Sequence, residues 1–509
     1  HGCKNGAASN YCSAGHEMGE SMEKVEKRTD RIKMDVILAA GCMLRLFYVL
    51  FSTIYDRQYD IGMIDLDAGH TVTGGHLAYI QYLYENWKLP DFDPTSVYQF
   101  NHPPLHHYLC ALWMKLCSLF ISNTDVLEES IQVVPFVCSL LILWFLLRIA
   151  EQFELTEKAK RFVMLLFCFH PALVLLSGSV NNDCMSLMFT VMCVYYTILW
   201  SRFPTAHNIL KLAVSIALGM LTKQSVAQMA FPIAAVMLWM LVRSLDNGRD
   251  CRARSVESTR NAAIPVVPVK KLLGQYVLFG VVSIPLGMSF YIRNRIQFHM
   301  PLVWIYTLPE DSWQYTGNVP VLNRFLFPVP SEMLDNLRQF KLGCGYNVWM
   351  QIIRTSVLGE WDMADVGRSV KVLAVLLMLV GALLALAAWM AFIRVFVVQA
   401  KRCGIDSASR ILFVVGYFVH LLLYLKFAYD YPQECSMHFR YMEIELLFPA
   451  IALAFIWQEG TKEQLEMRRR EGGATGHPAV KRAISQVLFV LLLVFCLLST
   501  AMTAVWCLL

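Results

Sequence analysis

The 509-residue chain is predicted to be an all-α polytopic membrane protein, from its scarcity of charge, the spacing of its apolar runs and the sidedness of its bases. Only 16% of its residues are charged and 56% are hydrophobic, with a mean hydropathy of +0.46. An ordinary soluble domain carries roughly 25% charged residues. Disordered, fibrous and ordinary cytosolic classes are therefore excluded.

A helix needs about 20 apolar residues to cross a bilayer. Eleven runs qualify, near 36–54, 131–149, 162–179, 184–201, 208–222, 225–243, 272–292, 370–395, 411–428, 441–457 and 484–509. A twelfth stretch, 103–122, is interrupted by Lys115 and crowded at its start by His102, His106 and His107. Counting it as a span would carry the basic loops after 149 outside. Leaving it out puts 1–35, 150–161, 202–207, 244–271, 396–410 and 458–483 all on one side, and these hold the clusters of Lys and Arg. Residues 103–122 are thus predicted as an interfacial helix on the outer leaflet, and the topology as N-in, C-out. The polar first 34 residues precede a full-length span, which is expected to double as the insertion signal.

The organisation that follows is a cytoplasmic tail (1–35), a membrane module (36–457) with long outer loops at 55–130 and 293–369, a basic linker (458–483) and a last membrane helix (484–509). Of the 15 cysteines, several lie inside spans and none forms a C-x-x-C pair, so neither a zinc site nor a disulfide framework is indicated. Cys344 and Cys435 are both outside and could pair. Function is expected in the outer loops, since loops on a rigid scaffold carry chemistry.

The first outer loop is the most informative segment. Before Pro94, Asp56, Asp60, Asp65, Asp67, Asp91 and Asp93 share it with only two bases, Arg57 and Lys88. Gly74-Gly75 precede an amphipathic helix with His76, Tyr79, Ile80, Leu83 and Tyr84 on one side, ended by Leu89-Pro90. His102-Pro103-Pro104-Leu105 then opens the second surface helix.

An acidic loop after the first span, an H-x-x-Y-I-x-Y-L helix ending in K-L-P, and an H-P-P-L helix resemble the first extracytoplasmic loop of the GT-C glycosyltransferases. The likeness is nearest to family 39-like members, related to protein O-mannosyltransferases and lipid A aminoarabinose transferases. It extends more weakly over 36–457. The resemblance implies about eleven transmembrane helices with juxtamembrane helices in the first loop. It also implies an inverting transfer of a sugar from a polyprenyl-phosphate carrier to an acceptor hydroxyl on the outer face. A phosphate leaving group is already a weak base, so one carboxylate suffices as general base, while cations neutralise the departing phosphate. In the family that base is a first-loop aspartate. Asp60 leads, beside the chain turn that Gly62 permits, followed by Asp67 and Asp65. The sequence departs from the family in having Thr71-Val72-Thr73 where the commoner acidic pair stands.

The carrier phosphate is expected to meet cations on the same side. The resemblance places a phosphate-contacting lysine at the turn of Lys223, against a plain snorkelling lysine. Arg293 and Arg295 leave span seven outward against the positive-inside trend, and Arg440 matches a late R-Y element. Arginine's planar fork suits phosphate, with Glu434 or Asp311 as alternative partners. His102 stands where some members have lysine, an anion contact. The turn Asn181-Asn182-Asp183 could bind the sugar or a divalent cation, or cap span four. Arg45, mid-span, must face protein or water and is read as paired with an acidic or carbonyl group. The aromatics of the second outer loop (Trp304, Trp313, Tyr315, Trp349, Trp361) read first as an interfacial belt.

The implied partners are a polyprenyl-phosphate-linked sugar donor, the bilayer and an acceptor glycan, polymer or protein. No nucleic acid is implied. No cofactor follows from the residues, though a divalent cation, Mg²⁺ or Mn²⁺, stays open. A nucleotide sugar is disfavoured by the lack of a Gly-rich phosphate loop. The competing class is a transporter or flippase for a polyprenyl-linked lipid or small solute. It is favoured by eleven spans, Arg45 and the cation series, and opposed by one-sided polar groups and the lack of internal repeats.

Overall fold

The computed structural model describes residues 6–55, 63–65, 71–250, 265–307, 309–328, 345–361, 366–461 and 478–508. Within these, the side chains of 6–27, 63–65, 71–73, 247–250 and 478 are left aside. The architecture is helical throughout, apart from one ladder of two three-residue strands, β1 (Met63–Asp65) and β2 (Thr71–Thr73). They pair antiparallel, with Asp65 opposite Thr71.

The helices are α1 (Gly6–Phe51), α2 (Gly75–Asn86), α3 (Leu105–Cys117), α4 (Thr124–Glu129), α5 (Val133–Ala150), α6 (Glu157–Phe169), α7 (Pro171–Leu175), α8 (Asp183–Arg202) and α9 (Ala206–Met220). They continue as α10 (Ala230–Asp250), α11 (Val269–Phe298), α12 (Val321–Phe325), α13 (Val348–Leu358), α14 (Arg368–Phe392), α15 (Ser407–Asp430), α16 (Leu447–Glu459) and α17 (Pro478–Leu508). Side-chain caps start many of them. Thr156, Thr205, Asn123, Asp406 and Asn347 each accept an amide N–H of the first turn.

Among the described residues eight helices can cross a membrane by length and composition: Arg28–Phe51, Thr124–Ala150, Asp183–Arg202, Gln224–Asp246, Val269–Phe298, Arg368–Val398, Ser407–Asp430 and Ala479–Leu508. A ninth span exists if Glu157–Phe169 and Pro171–Gly178, bent by 58°, are taken together. The protein is a multi-pass integral membrane protein. Large apolar side chains such as Val277, Val281, Ile284 and Ile296 of α11 point outward, as lipid contact requires. The predicted eleven is not reached on these criteria. The remaining two runs are the 15-residue α9 and the 13-residue α16.

Two apolar runs differ from uniform spans, each for a physical reason. Run 162–179 breaks at His170, which is extended because Pro171 follows it and supplies no N–H. The carbonyls of Phe167 (3.1 Å) and Cys168 (2.7 Å), freed by the break, accept from the Arg45 guanidinium, which also donates to Gly41 O (3.0 Å) in its own helix. Arg45 is thus a buried cap on a severed helix end. A Cβ at Gly41 would sit 2.7 Å from that of Cys168, so α1 and α6 touch there backbone to backbone. Run 441–457 starts late. Residues 434–446 pass through three short 3₁₀ turns, and regular helix begins only at Leu447. Arg440, Glu443 and Glu445 are all buried in those turns, where tighter i→i+3 bonding lets consecutive polar side chains point to different partners.

Stretch 103–122 forms α3 with a non-helical end and is not among the candidate spans. It packs on α2 through Tyr79, Leu83, Cys110, Ala111 and Met114, a small apolar core separate from that of the main bundle.

Candidate functional site

The site is assembled by three chain turns at one end of the bundle. The first precedes α8. Asn181 accepts the amide of Asp183 (3.0 Å) and donates its Nδ2 to Asp183 Oδ2 (2.9 Å), which fixes the carboxylate at the head of the helix. The second follows α9. Asn182 donates to Thr222 O (2.8 Å) and so pins it to the first. Lys223 then leaves the helix in an extended conformation, and its ammonium donates to Asp183 Oδ1.

The third turn is the 3₁₀ stretch at Phe439–Tyr441. Arg440 Nη1 lies 3.9 Å from Asp183 Oδ2, and Nη2 donates to Tyr441 Oη (2.9 Å). The Tyr441 ring serves both cations, with its centroid 5.2 Å from Lys223 Nζ and 5.0 Å from Arg440 Cζ. Asp183 is only 2% exposed and Arg440 8%. Glu443, also buried, opens the next 3₁₀ turn, three residues after Arg440.

Lys223, Arg440, Asn182 and Asp183, widely spaced in the sequence, therefore converge. Asp183 is a counterion here. It is the first helical residue, and the capping position, Asn182, makes no side-chain cap bond. Among the described residues no group of three or more His, Cys, Asp or Glu side chains is arranged to hold a metal.

The first-loop helices dock on the same turns. The amide of Leu105, at the start of α3, donates to Leu221 O (2.9 Å), two residues before Lys223. His106 Nε2 meets Val180 O (2.7 Å), just ahead of Asn181. His76 Nδ1 and His107 Nε2 share a 2.8 Å hydrogen bond, and the His102 ring lies tilted beside His76 with centroids 5.1 Å apart. Burial pushes His106 down to about 4, and holds His76 and His107 well below the usual imidazole range, so these rings are neutral.

Arg293 donates to the carbonyl of Pro90 and to Asn294 Oδ1 (2.9 Å), fastening the end of the α2 segment to α11. Arg295 bonds the carbonyl of His299 (3.0 Å) at its own helix end. Neither bond reaches the Asp183 group. Glu434 pairs with Gln351 (3.0 Å) and Arg354 (3.7 Å).

The first-loop aspartates stand differently. Asp60 and Asp67 lie outside the described residues, and Asp65 is described by its backbone alone, in the β1–β2 ladder. The chain enters that loop through a firm anchor. Glu129 accepts the amide of Ile54 (3.1 Å), and Glu128 accepts from Tyr55 Oη (2.5 Å) and Gln81 Nε2 (2.6 Å).

Sequence reasoning missed Glu443 and the histidine group of His76, His106 and His107. The signal for Glu443 was present. A carboxylate inside an apolar run, three residues after an arginine, is costly unless it has a partner.

Two cations over one aromatic face, sharing one buried carboxylate, are a place where an anionic group can be bound. Residues 101–247 match the family described as dolichyl-phosphate-mannose-protein mannosyltransferase. The match begins one residue before His102 and includes Asn182, Asp183 and Lys223. No curated protein matches the chain in sequence.

Among solved structures, the apo oligosaccharyltransferase of Archaeoglobus fulgidus is 13% identical, with a TM-score of 0.46 over 92% of this chain and 56% of that one. The same archaeal enzyme, AglB, in complex with an inhibitory peptide and a dolichol-phosphate gives 12% identity and 0.45, again over 92% and 56%. ArnT from Cupriavidus metallidurans, in its apo state, gives 11% and 0.37, over 84% and 78%. The chain spans a little over half the length of the archaeal enzyme. The family match over 101–247 agrees with the resemblance carried by the first loop.

Proposed function

We propose that the chain is an inverting glycosyltransferase that moves a sugar from a polyprenyl-phosphate carrier to an acceptor hydroxyl on the outer, extracytoplasmic or luminal, face of the membrane. The observation that carries this reading is the convergence of Lys223 and Arg440 on Asp183. In the reaction a first-loop aspartate, Asp60 ahead of Asp67 and Asp65, deprotonates the acceptor as its oxygen attacks the anomeric carbon. Lys223 and Arg440 take the charge of the leaving phosphate, and Arg440's fork suits two of its oxygens. Arg293 and His102 line the approach, Arg293 by holding the α2 segment and His102 by facing the anion. Asn182 sets the turn and Asp183 orients both cations. A glycan, envelope polymer or protein hydroxyl is the acceptor.

The experiment is steady-state transfer from a short-chain polyprenyl-phosphate sugar by purified protein. A charge-assisted hydrogen bond contributes about 1.5–3 kcal/mol. Arg440→Ala and Lys223→Ala are therefore expected to raise the donor KM by roughly 10- to 100-fold, with the acceptor KM unchanged. Equal loss for both substrates, or an unchanged donor KM, counts against a phosphate role.

A further inference from the structure

The turn that carries Arg440 takes its cap from another helix. Phe439–Tyr441 is three residues of 3₁₀ helix, and the amide of its first residue precedes the turn's own hydrogen bonds. His438, in the capping position, makes no side-chain cap bond. The acceptor is Thr355, buried in α13, whose Oγ1 takes the Phe439 amide at 2.7 Å and donates its own hydrogen to Gln351 O at 2.6 Å. A hydroxyl that accepts from one element and donates within another has its direction fixed by both.

Further contacts hold the same stretch to α13 and to the chain before it. His438 Nδ1 lies 2.9 Å from Glu360 Oε1. Glu360 comes back to that position because Gly359, with a φ of 62°, ends α13 in a conformation that glycine adopts readily. Glu434 accepts from Gln351 Nε2 (3.0 Å), and its amide donates to Gln314 O (2.8 Å). From the other side Tyr424 of α15 donates to Met437 O (2.7 Å), and the His170 ring stacks on Phe439 with centroids 6.1 Å apart. The backbone on the N-terminal side of Arg440 is thus held from several directions, and the hydrogen bond nearest to it in sequence is the one to Thr355.

That placement matters for what Arg440 can do. Its guanidinium stands at the end of a long side chain, so a small tilt of the turn moves the fork further than it moves the backbone. Nη1 is 3.9 Å from Asp183 Oδ2, a long approach that a tilt away would open. Binding two oxygens of a phosphate also demands an orientation of the planar fork as well as a position.

We infer that Thr355 is a positioning residue for Arg440, with Glu360 assisting through His438: α13 acts on the phosphate through the backbone of the Arg440 turn. This rests on the carrier-phosphate reading of Lys223 and Arg440. It gives the segment between α11 and α14 a part in phosphate binding that its own charged side chains do not explain.

The test is calorimetric binding of farnesyl monophosphate to the full chain in detergent micelles. Thr355→Val keeps the shape of the side chain and removes the acceptor, and leaving the buried Phe439 amide unpaired is expected to raise Kd about tenfold. Thr355→Ser restores the oxygen and should return Kd to within about twofold of the parent. In an Arg440→Ala background Thr355→Val is expected to change Kd no further, because a residue that acts through another loses its effect when that other is gone. A bond that only stabilises the fold would weaken binding by the same factor in both backgrounds. That result, or an unchanged Kd in the single variant, overturns the inference. Should Thr355→Val fail to fold, Glu360→Gln, at a partly exposed position, carries the same cycle with an expected rise of about threefold; an unchanged Kd or an additive cycle overturns the inference there too. If Arg440→Ala binds the monophosphate as the parent does, the carrier-phosphate reading fails and the positioning role falls with it. If Arg440→Ala weakens binding while Thr355→Val and Glu360→Gln do not, that reading stands and the positioning role alone is lost.

Discussion

The two ends of the bundle handle charge in opposite ways. At the end where α5 turns into α6, α8 into α9 and α14 into α15, basic and acidic side chains meet in separate contacts. Arg161 pairs with Asp30 (2.7 Å) and Arg202 with Asp406 (2.9 Å), while Glu459 takes both Arg394 (2.9 Å) and Lys481 (3.5 Å). Each pair ties one loop to another, and each keeps some exposure to solvent. At the other end Lys223 and Arg440 both reach one buried carboxylate, Asp183, with Tyr441 shared between the cations. The first arrangement is a set of fasteners, each replaceable without the others. The second is a single unit whose members hold one another in place, as expected where an external anion is to be accommodated.

The strongest way to break this contrast is at the reacting end. Asp60→Asn should lower transfer by at least about 100-fold, the range of general-base catalysis, with the melting temperature in detergent unchanged. Retained turnover would sink Asp60 as the base and bring Asp67 forward. Next in size is Asp183→Ala, which takes from Lys223 and Arg440 the carboxylate they share. Breaking a buried pair in this way costs about 3–5 kcal/mol, so a clear fall in thermal stability is expected together with weaker donor binding. A drop no larger than that of a pair at the opposite end would remove the distinction.

Acid should act on the same end. His106 is held at about 4 by burial, below its unfolded value near 6.5. Its contribution is fully present above pH 6.5 and is lost as pH falls toward 4. The docking of α3 should therefore weaken over that window by up to about 3 kcal/mol, read as protease access to the first loop, and His106→Gln should flatten the profile. The smallest effect belongs to the fasteners. Arg202→Gln should cost about 1 kcal/mol or less and leave transfer unchanged.

Much of the frame was legible in the primary structure. Each of the eleven apolar runs contains helix, and the sidedness of the bases put Lys223, Arg293, Arg295, Arg440 and the turn Asn181-Asn182-Asp183 on one side without saying which of them meet. Hydropathy alone did not distinguish a crossing helix from a buried irregular one. Glu443 and Glu445 sit in a run that averages as apolar, yet the backbone there is a series of 3₁₀ turns around polar side chains. The break at Pro171 was hidden for a related reason: the apolar run continues across it, and the residue that stabilises it, Arg45, lies more than a hundred positions earlier. The histidine pair His76 and His107 depends on α2 meeting α3, a tertiary contact with no local signature.

One bond described above has a property that side-chain substitution does not reach. The amide of Leu105 meets the carbonyl of Leu221. Both atoms belong to the backbone, so changing either side chain leaves the link intact, and alanine scanning passes over it. In His102-Pro103-Pro104-Leu105 the two prolines have no amide hydrogen, which makes Leu105 the first residue after His102 with one to give. The prolines thus set the register of the surface helix against the Lys223 turn by subtraction. A third proline, at 105, would uncouple the surface helix from the Lys223 turn while leaving every charged side chain in the sequence unchanged.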